Sequence, residues 1–129
     1  MSVVDASAII EMLLRTDTGR RLERRLLVPG RSLNAPHLID VEVAQVMRRY
    51  VRRGDIDEAR ARANLDLLAQ LPLQRYPHGF LVKRAWALRD NFTASDAMYL
   101  ALAEALDLPL VTCDVRLASG RHTAKVELA

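Results

Sequence analysis

Short apolar runs alternate with stretches of helical spacing along the whole of this chain, and that alternation restricts the fold more than any other feature. Ser2-Val3-Val4-Asp5 reads as a buried strand and is followed at once by Ala6 to Arg15, where Ala8, Ile9, Met12 and Leu13 repeat at helical intervals. Further strand-like runs stand at Leu33-Asn34-Ala35, at Leu73 to Tyr76, at Leu110-Val111-Thr112-Cys113 and at Lys125-Val126-Glu127-Leu128. Between them, helical stretches are predicted over Asp17 to Leu27, His37 to Arg53, Ile56 to Leu71, Gly79 to Asp90 and Thr93 to Leu106. Strands joined by helices pair in parallel, and the helices cover the sheet on both sides. The predicted class is α/β, a mostly parallel central sheet in three layers, with its ligand site at the carboxyl ends of the strands.

Punctuation residues set the boundaries. Asp17 and Thr18 are the capping candidates for the second helix, which ends before Pro29-Gly30. Pro36 opens the long helix and Gly54 stops it; Asp55 caps the next, which Pro72 stops, so these two form a helical hairpin. Leu81, Ala85, Trp86 and Leu88 are expected to form the apolar face of the Gly79 to Asp90 helix. At 129 residues the chain fits one domain. It contains no repeat, and no apolar run approaches membrane-spanning length. The lone Cys113 cannot pair within the chain, which fits a reducing, cytoplasmic location. The net charge of +3 comes from 17 Arg and 2 Lys against 16 acidic residues, compatible with an anionic partner but equally with ordinary solubility.

Asp5 and Asp114 each end an apolar strand just before a helical stretch, which puts two carboxylates at the sheet edge where α/β proteins bind ligands. Either one alone reads equally as a helix N-cap. Asp96 fits the third helical position of a capping box, Thr93-Ala94-Ser95-Asp96. Glu42 falls beside Arg49 and Arg53 at the edge of a polar arc, whereas Asp40 points into the apolar arc with Val43, Ala44 and Met47. Periodicity by itself singles out Asp40 before Glu42. The five glycines, at 19, 30, 54, 79 and 120, make no phosphate-binding loop or dinucleotide fingerprint. His37, His78 and His122, with Cys113, lack zinc-ligand spacing, and no nucleophile elbow for Ser-His-Asp catalysis is present.

Three segments resemble the PIN-domain nucleases and, within them, the VapC toxins of bacterial toxin–antitoxin pairs. They are Val3-Val4-Asp5-Ala6-Ser7-Ala8, Glu42-Val43-Ala44-Gln45-Val46-Met47-Arg48-Arg49, and a late block from Thr93 to Asp114 that contains Ser95-Asp96-Ala97-Met98-Tyr99-Leu100 and Leu110-Val111-Thr112-Cys113-Asp114. They stand in the family's order and spacing; Arg15 to Leu33 and Ile56 to Asn91 carry no diagnostic motif. The resemblance implies an acidic site made of Asp5, Glu42, Asp96 and Asp114, supported by the hydroxyls of Ser7 and Thr112, with Asp40 only a reserve ligand. Ser95 stands where the family often has an aromatic residue and Asp107 where a glycine is common, departures that bear on substrate contacts and loop shape.

Carboxylates gathered closely repel one another and raise each other's pKa unless a cation lies among them. An oxygen-only set suits Mg²⁺, with Mn²⁺ as its substitute. The expected reaction is hydrolysis of a phosphodiester, with Asp5, Asp96 and Asp114 holding the metal and Glu42 ordering the attacking water or ligating through water. Substrate RNA, often transfer RNA, a cognate VapB-type antitoxin and a homodimer are implied by the resemblance alone. The Arg-rich faces, Arg20 to Arg25 and Arg48 to Arg53, would attract a phosphate backbone, or are simply solvated. Two rivals are a phosphoacceptor domain, for which only Lys83 and Lys125 offer the needed amine, and a non-catalytic basic module that binds nucleic acid with its acids serving as caps.

Overall fold

The computed structural model describes residues 1–129 and contains five strands and six α-helices. The strands are β1 (Ser2–Val4), β2 (Leu33–Pro36), β3 (Leu73–Tyr76), β4 (Leu110–Thr112) and β5 (Val126–Leu128). All pair in parallel, in the order β3-β2-β1-β4-β5. Every residue of β1, β2 and β4 is buried, which is why these runs lack an apolar–polar alternation: each has a helix layer on either face. The edge strands β3 and β5 are more open.

The helices are α1 (Ala6–Leu14), α2 (Asp17–Leu26), α3 (Leu38–Arg53), α4 (Glu58–Gln70), α5 (Val82–Ala87) and α6 (Ala94–Leu106), with short 3-10 turns at Gly79–Leu81 and Val115–Ala118. One layer is built by α1 packing on α2, α3 and α4; the other by α6, which lies on β1, β2 and β4 and carries α5. The chain steps outward from β1 through β2 to β3, then crosses back to β4 on the far side of β1. The carboxyl ends of β1 and β4 therefore form the point where strand order reverses, the place where open α/β sheets leave a crevice.

Caps differ from the sequence expectation in two places. Thr16, not Asp17 or Thr18, caps α2 by accepting from the Gly19 N–H at 3.0 Å, so α2 starts directly after the left-handed Arg15 that ends α1. Asp57, not Asp55, caps α4 through the Arg60 N–H at 2.7 Å, so that helix begins later than Ile56. The Gly79 to Asp90 stretch is split between a 3-10 turn and the six-residue α5, and Trp86 faces outward with 66% of its surface exposed, stacked under Arg89 rather than joining Leu81, Ala85 and Leu88 inside. Gly19 is where α2 meets α1: a Cβ there would come within 1.9 Å of the Glu11 carbonyl oxygen. In mid-sheet, buried Asn34 donates to the Ser2 carbonyl at 3.1 Å and accepts from the Tyr76 hydroxyl at 2.9 Å, tying β1, β2 and β3 together.

Candidate active site

Asp5, Glu42, Asp96 and Asp114 line one cleft of about 480 Å³ at the reversal point, with Ser7 and Tyr99 beside them. Each acid is delivered by the start of a helix or helical turn: Asp5 caps α1 after β1, Glu42 lies in the second turn of α3, Asp96 in the first turn of α6, and Asp114 caps the turn after β4. A larger groove of about 620 Å³ runs between α3 and α4, but it gathers only one acid, Glu58, among an apolar floor and arginines.

Asp5 is almost wholly buried, and both of its oxygens are engaged. Oδ1 accepts from the Ser7 hydroxyl at 2.7 Å and the Ala8 N–H at 3.1 Å; Oδ2 accepts from the Thr112 hydroxyl at 2.5 Å. The Ser7 oxygen in turn accepts from the Cys113 N–H, and the Thr112 oxygen from the Asp114 N–H, each at 3.0 Å. Two relays thus run from consecutive backbone amides through hydroxyls to one carboxylate, and such chains polarise each member. The 3.3 Å approach of the two hydroxyl oxygens is a contact only, since both hydroxyl protons are already directed to Asp5. Burial pushes the Asp5 carboxyl above the usual range, the donors from Thr112, Ser7 and Ala8 oppose that, and the charge of Asp96 adds to it.

Glu42 is half-buried and accepts a short hydrogen bond from the Tyr99 hydroxyl. Its carboxyl is also raised, chiefly by burial and further by the charges of Asp96 and Asp5, while the Tyr99 bond pulls the other way. Tyr99 is pushed well above the ordinary phenol range by burial and by the Glu42 charge, so it remains a donor.

Asp114 is different. Arg116 wraps it: Nε lies 3.1 Å from each Asp114 oxygen and Nη2 2.5 Å from Oδ2, while the same Nη2 stands 3.5 Å from an Asp96 oxygen. The guanidinium holds the Asp114 carboxyl below its ordinary value. Asp96 does not complete the capping box with its side chain. Thr93 accepts from the Asp96 N–H at 3.2 Å, and the carboxylate is turned toward Arg116.

The donor set is carboxylate and hydroxyl oxygen, without His or Cys, and its chemistry fits a hard divalent cation. As the side chains stand, no three of the acidic groups converge into a ready ligand set, and Arg116 occupies the oxygens of Asp114. Asp40, the residue that periodicity alone favoured, lies outside the cleft. It forms a two-point ion pair with Arg75 at 2.7 and 2.9 Å that fastens the start of α3 to β3, so its carboxylate is held by Arg75 and does not join the apolar arc that buries Ile39 and Val43.

Tyr99 and Arg116 are the two contributors that sequence reasoning missed. Spacing held a signal for Tyr99, three residues after Asp96 on one helix, whereas Arg116 is brought to Asp114 by the turn in which Asp114 accepts its N–H. Arg49, two turns beyond Glu42 on α3, also lines the cleft and is paired with no acid within 4.0 Å. The predicted basic face on α2 is less free, since Arg20 pairs with Asp17 and Arg25 with Glu127. No helix is long and apolar enough to cross a membrane.

The PIN domain family model matches residues 2–121. Ribonuclease VapC1 of Mycobacterium tuberculosis is 48% identical over 119 residues, covering 92% of this chain and 89% of that protein. Ribonuclease VapC12 of the same organism is 40% identical over 129 residues, 99% of this chain and 98% of its own length. Among solved structures, a toxin–antitoxin complex from Klebsiella pneumoniae contains a chain that superposes with a TM-score of 0.62 at 21% identity, covering 94% of this chain and 92% of that one. With this sequence match, this parallel sheet and these acids at its reversal point, the chain belongs to the PIN domain family and, within it, to the VapC proteins.

Proposed function

We propose that this protein is an endoribonuclease that hydrolyses RNA phosphodiesters with Mg²⁺, for which Mn²⁺ substitutes, and that it acts in the cytoplasm as the toxin of a type II toxin–antitoxin pair. Transfer RNA is its proposed substrate, a VapB-type antitoxin its restraint and the homodimer its working form. The observation that carries the reading is the meeting of four carboxylates, from residues 5, 42, 96 and 114, in one cleft where burial and mutual charge raise the carboxyls of Asp5 and Glu42. Such a cluster is costly unless a cation offsets it, which is the signature of a site built for metal-assisted chemistry. Kinship with VapC1 and VapC12, both ribonucleases by name, supports RNA as the substrate class. The fold shared with a chain of the Klebsiella toxin–antitoxin complex supports a protein partner.

Asp5, Asp96 and Asp114 would hold the cation, with Ser7 and Thr112 fixing the orientation of Asp5. When bound, a divalent cation supplies Lewis-acid polarisation of the scissile phosphate and offsets charge on the leaving oxygen. Glu42 accepts the proton of the attacking water. Its raised carboxyl makes it a stronger base than an exposed glutamate, and the Tyr99 hydroxyl holds one of its oxygens while the residue lines the cleft. Water adds to phosphorus as its proton passes to Glu42, one P–O ester bond breaks, and the leaving alkoxide takes up a proton from solvent, Glu42 returning its own to solvent. Arg49 offers an unpaired guanidinium to a neighbouring phosphate.

The test is cleavage of a pool of small RNAs by the purified protein with Mg²⁺, Mn²⁺ or EDTA, beside Asp5→Asn and Asp96→Asn. Metal-dependent cuts lost in both variants are expected. No cleavage in any condition, with the variants binding RNA as the parent does, would instead identify a basic binding module with a nuclease fold.

A further inference from the structure

Arg116 is the one cation directly bound to the acidic cleft, and its placement is not explained by the turn it sits in. That turn is already capped, because the Arg116 N–H donates to Asp114 Oδ1 at 2.9 Å. The guanidinium adds a second engagement, covering both Asp114 oxygens and reaching to 3.5 Å from Asp96. Those are two of the three carboxylates assigned above to the metal. A guanidinium and a hard cation cannot use the same lone pairs at once. The Arg116 side chain is 69% exposed and is not part of the core, so it can swing away without opening it.

We propose that Arg116 is a resident counter-ion of the acidic cleft, holding Asp114 and Asp96 until a divalent cation displaces it, and that the freed guanidinium then binds a phosphate of the RNA. The proposal rests on the metal-dependent reading above. In the metal-free protein Arg116 offsets part of the carboxylate repulsion. Once displaced it stays at the cleft mouth, and a guanidinium is shaped to grip a phosphate with two parallel hydrogen bonds. The same side chain thus competes with the metal and assists the substrate, so its removal should move the two affinities in opposite directions. A purely structural tie would weaken both.

The experiment titrates Mn²⁺ into the parent, Arg116→Gln, Arg49→Gln and Asp5→Asn, following free Mn²⁺ by electron paramagnetic resonance. RNA binding is measured separately in Ca²⁺, with RNA integrity read on a denaturing gel. Arg116→Gln should bind Mn²⁺ roughly three- to five-fold more tightly than the parent, the range an exposed ion pair can contribute. Arg49→Gln removes the same charge from the same cleft without vacating the carboxylates, and should change Mn²⁺ affinity far less. In RNA binding, Arg116→Gln should be weaker, with a salt-dependence slope lower by about one phosphate contact in Ca²⁺ and unchanged in EDTA. Arg116→Lys keeps the charge but lacks the fork, and should shift Mn²⁺ affinity in the same direction by less. Melting in EDTA verifies that each variant is folded. Equal or weaker Mn²⁺ binding by Arg116→Gln, or an equal gain in Arg49→Gln, overturns the proposal while leaving the nuclease reading intact. Failure of both parent and Arg116→Gln to bind Mn²⁺, with Asp5→Asn indistinguishable from them, overturns the metal-dependent reading and the proposal with it.

Discussion

Asp5 and Asp114 occupy matching places in the fold, yet their surroundings push their carboxyls in opposite directions. Each follows a central parallel strand by one or two residues, and each caps the helical turn that comes next. Asp5 is sealed under α1 and met only by neutral donors, so burial dominates and its carboxyl rises. Asp114 lies near the cleft mouth under a guanidinium and its carboxyl falls. Topology brings an acid to the crevice; the groups that touch it decide what the acid costs. One side of the cleft stores repulsion for a cation to relieve, and the other is already neutralised from within.

The sharpest way to break this contrast is catalytic. Asp5→Asn should lower the RNA cleavage rate by roughly 10²- to 10³-fold or more, as loss of one preorganised polar group does elsewhere, and Asp114→Asn should cost less; equal losses in single-turnover assays would dissolve the distinction. Next in size is the response to metal. Mg²⁺ at 100 times its dissociation constant should stabilise the parent by about 2.7 kcal/mol, roughly 10 °C in melting temperature for a chain of this length, and should leave Asp5→Asn nearly unmoved. Thr112→Val cuts the link between the two sides, since that hydroxyl donates to Asp5 and accepts from the Asp114 N–H. It should cost about 1–3 kcal/mol, seen as a lower denaturant midpoint at unchanged slope.

The pH response separates the two sides by sign. Glu42 binds its proton more tightly folded than unfolded, so its contribution to stability falls as pH rises from about the ordinary value of 4.5 through the raised folded value. In EDTA, Glu42→Gln should therefore melt above the parent at pH 8, and the gap should close on acidification toward pH 4.5. Asp114 runs the other way: its stabilisation is present above the ordinary value of 3.8 and is lost as pH falls through the lowered folded value. Asp114→Asn should melt slightly below the parent at neutral pH and match it in strong acid. A shared sign for the two variants would show that the same environment governs both acids.

The sheet was legible because its central strands are short, mostly apolar runs buried on both faces, and the helices because their stops, Gly54 and Pro72 among them, are strong local signals. Caps were less so. Thr16 and Asp57 won over their neighbours through backbone geometry, the left-handed Arg15 before one and the turn after Gly54 before the other, and neither is written in residue type. Asp107 shows the converse: an aspartate at φ 52° ends α6 in the left-handed conformation that glycine adopts most readily and a short polar side chain tolerates. In the cleft, Asp5 and Asp114 could be read from strand ends, but Glu42 could not be told from a solvated glutamate by periodicity. What distinguishes it is Tyr99, 57 residues away in sequence, and such contacts leave no trace in local pattern. Asp40 misled for the same reason, since its partner Arg75 comes from another strand.

Gly19 carries a consequence for how this molecule can vary. Because a single methyl group there would collide with the Glu11 carbonyl and the Met12 nitrogen at 1.9 to 2.8 Å, the backbones of α1 and α2 touch with no side chain between them. The exposed arginines of α2 ride on that contact, and α1 is capped by Asp5, so the spacing between the outer cationic surface and the acidic floor is gauged by one hydrogen atom. The exposed Arg20, Arg21 and Arg24 can then vary while Leu22 stays in the core, whereas position 19 acts as a spacer of fixed thickness that no longer side chain can replace without resetting the gauge.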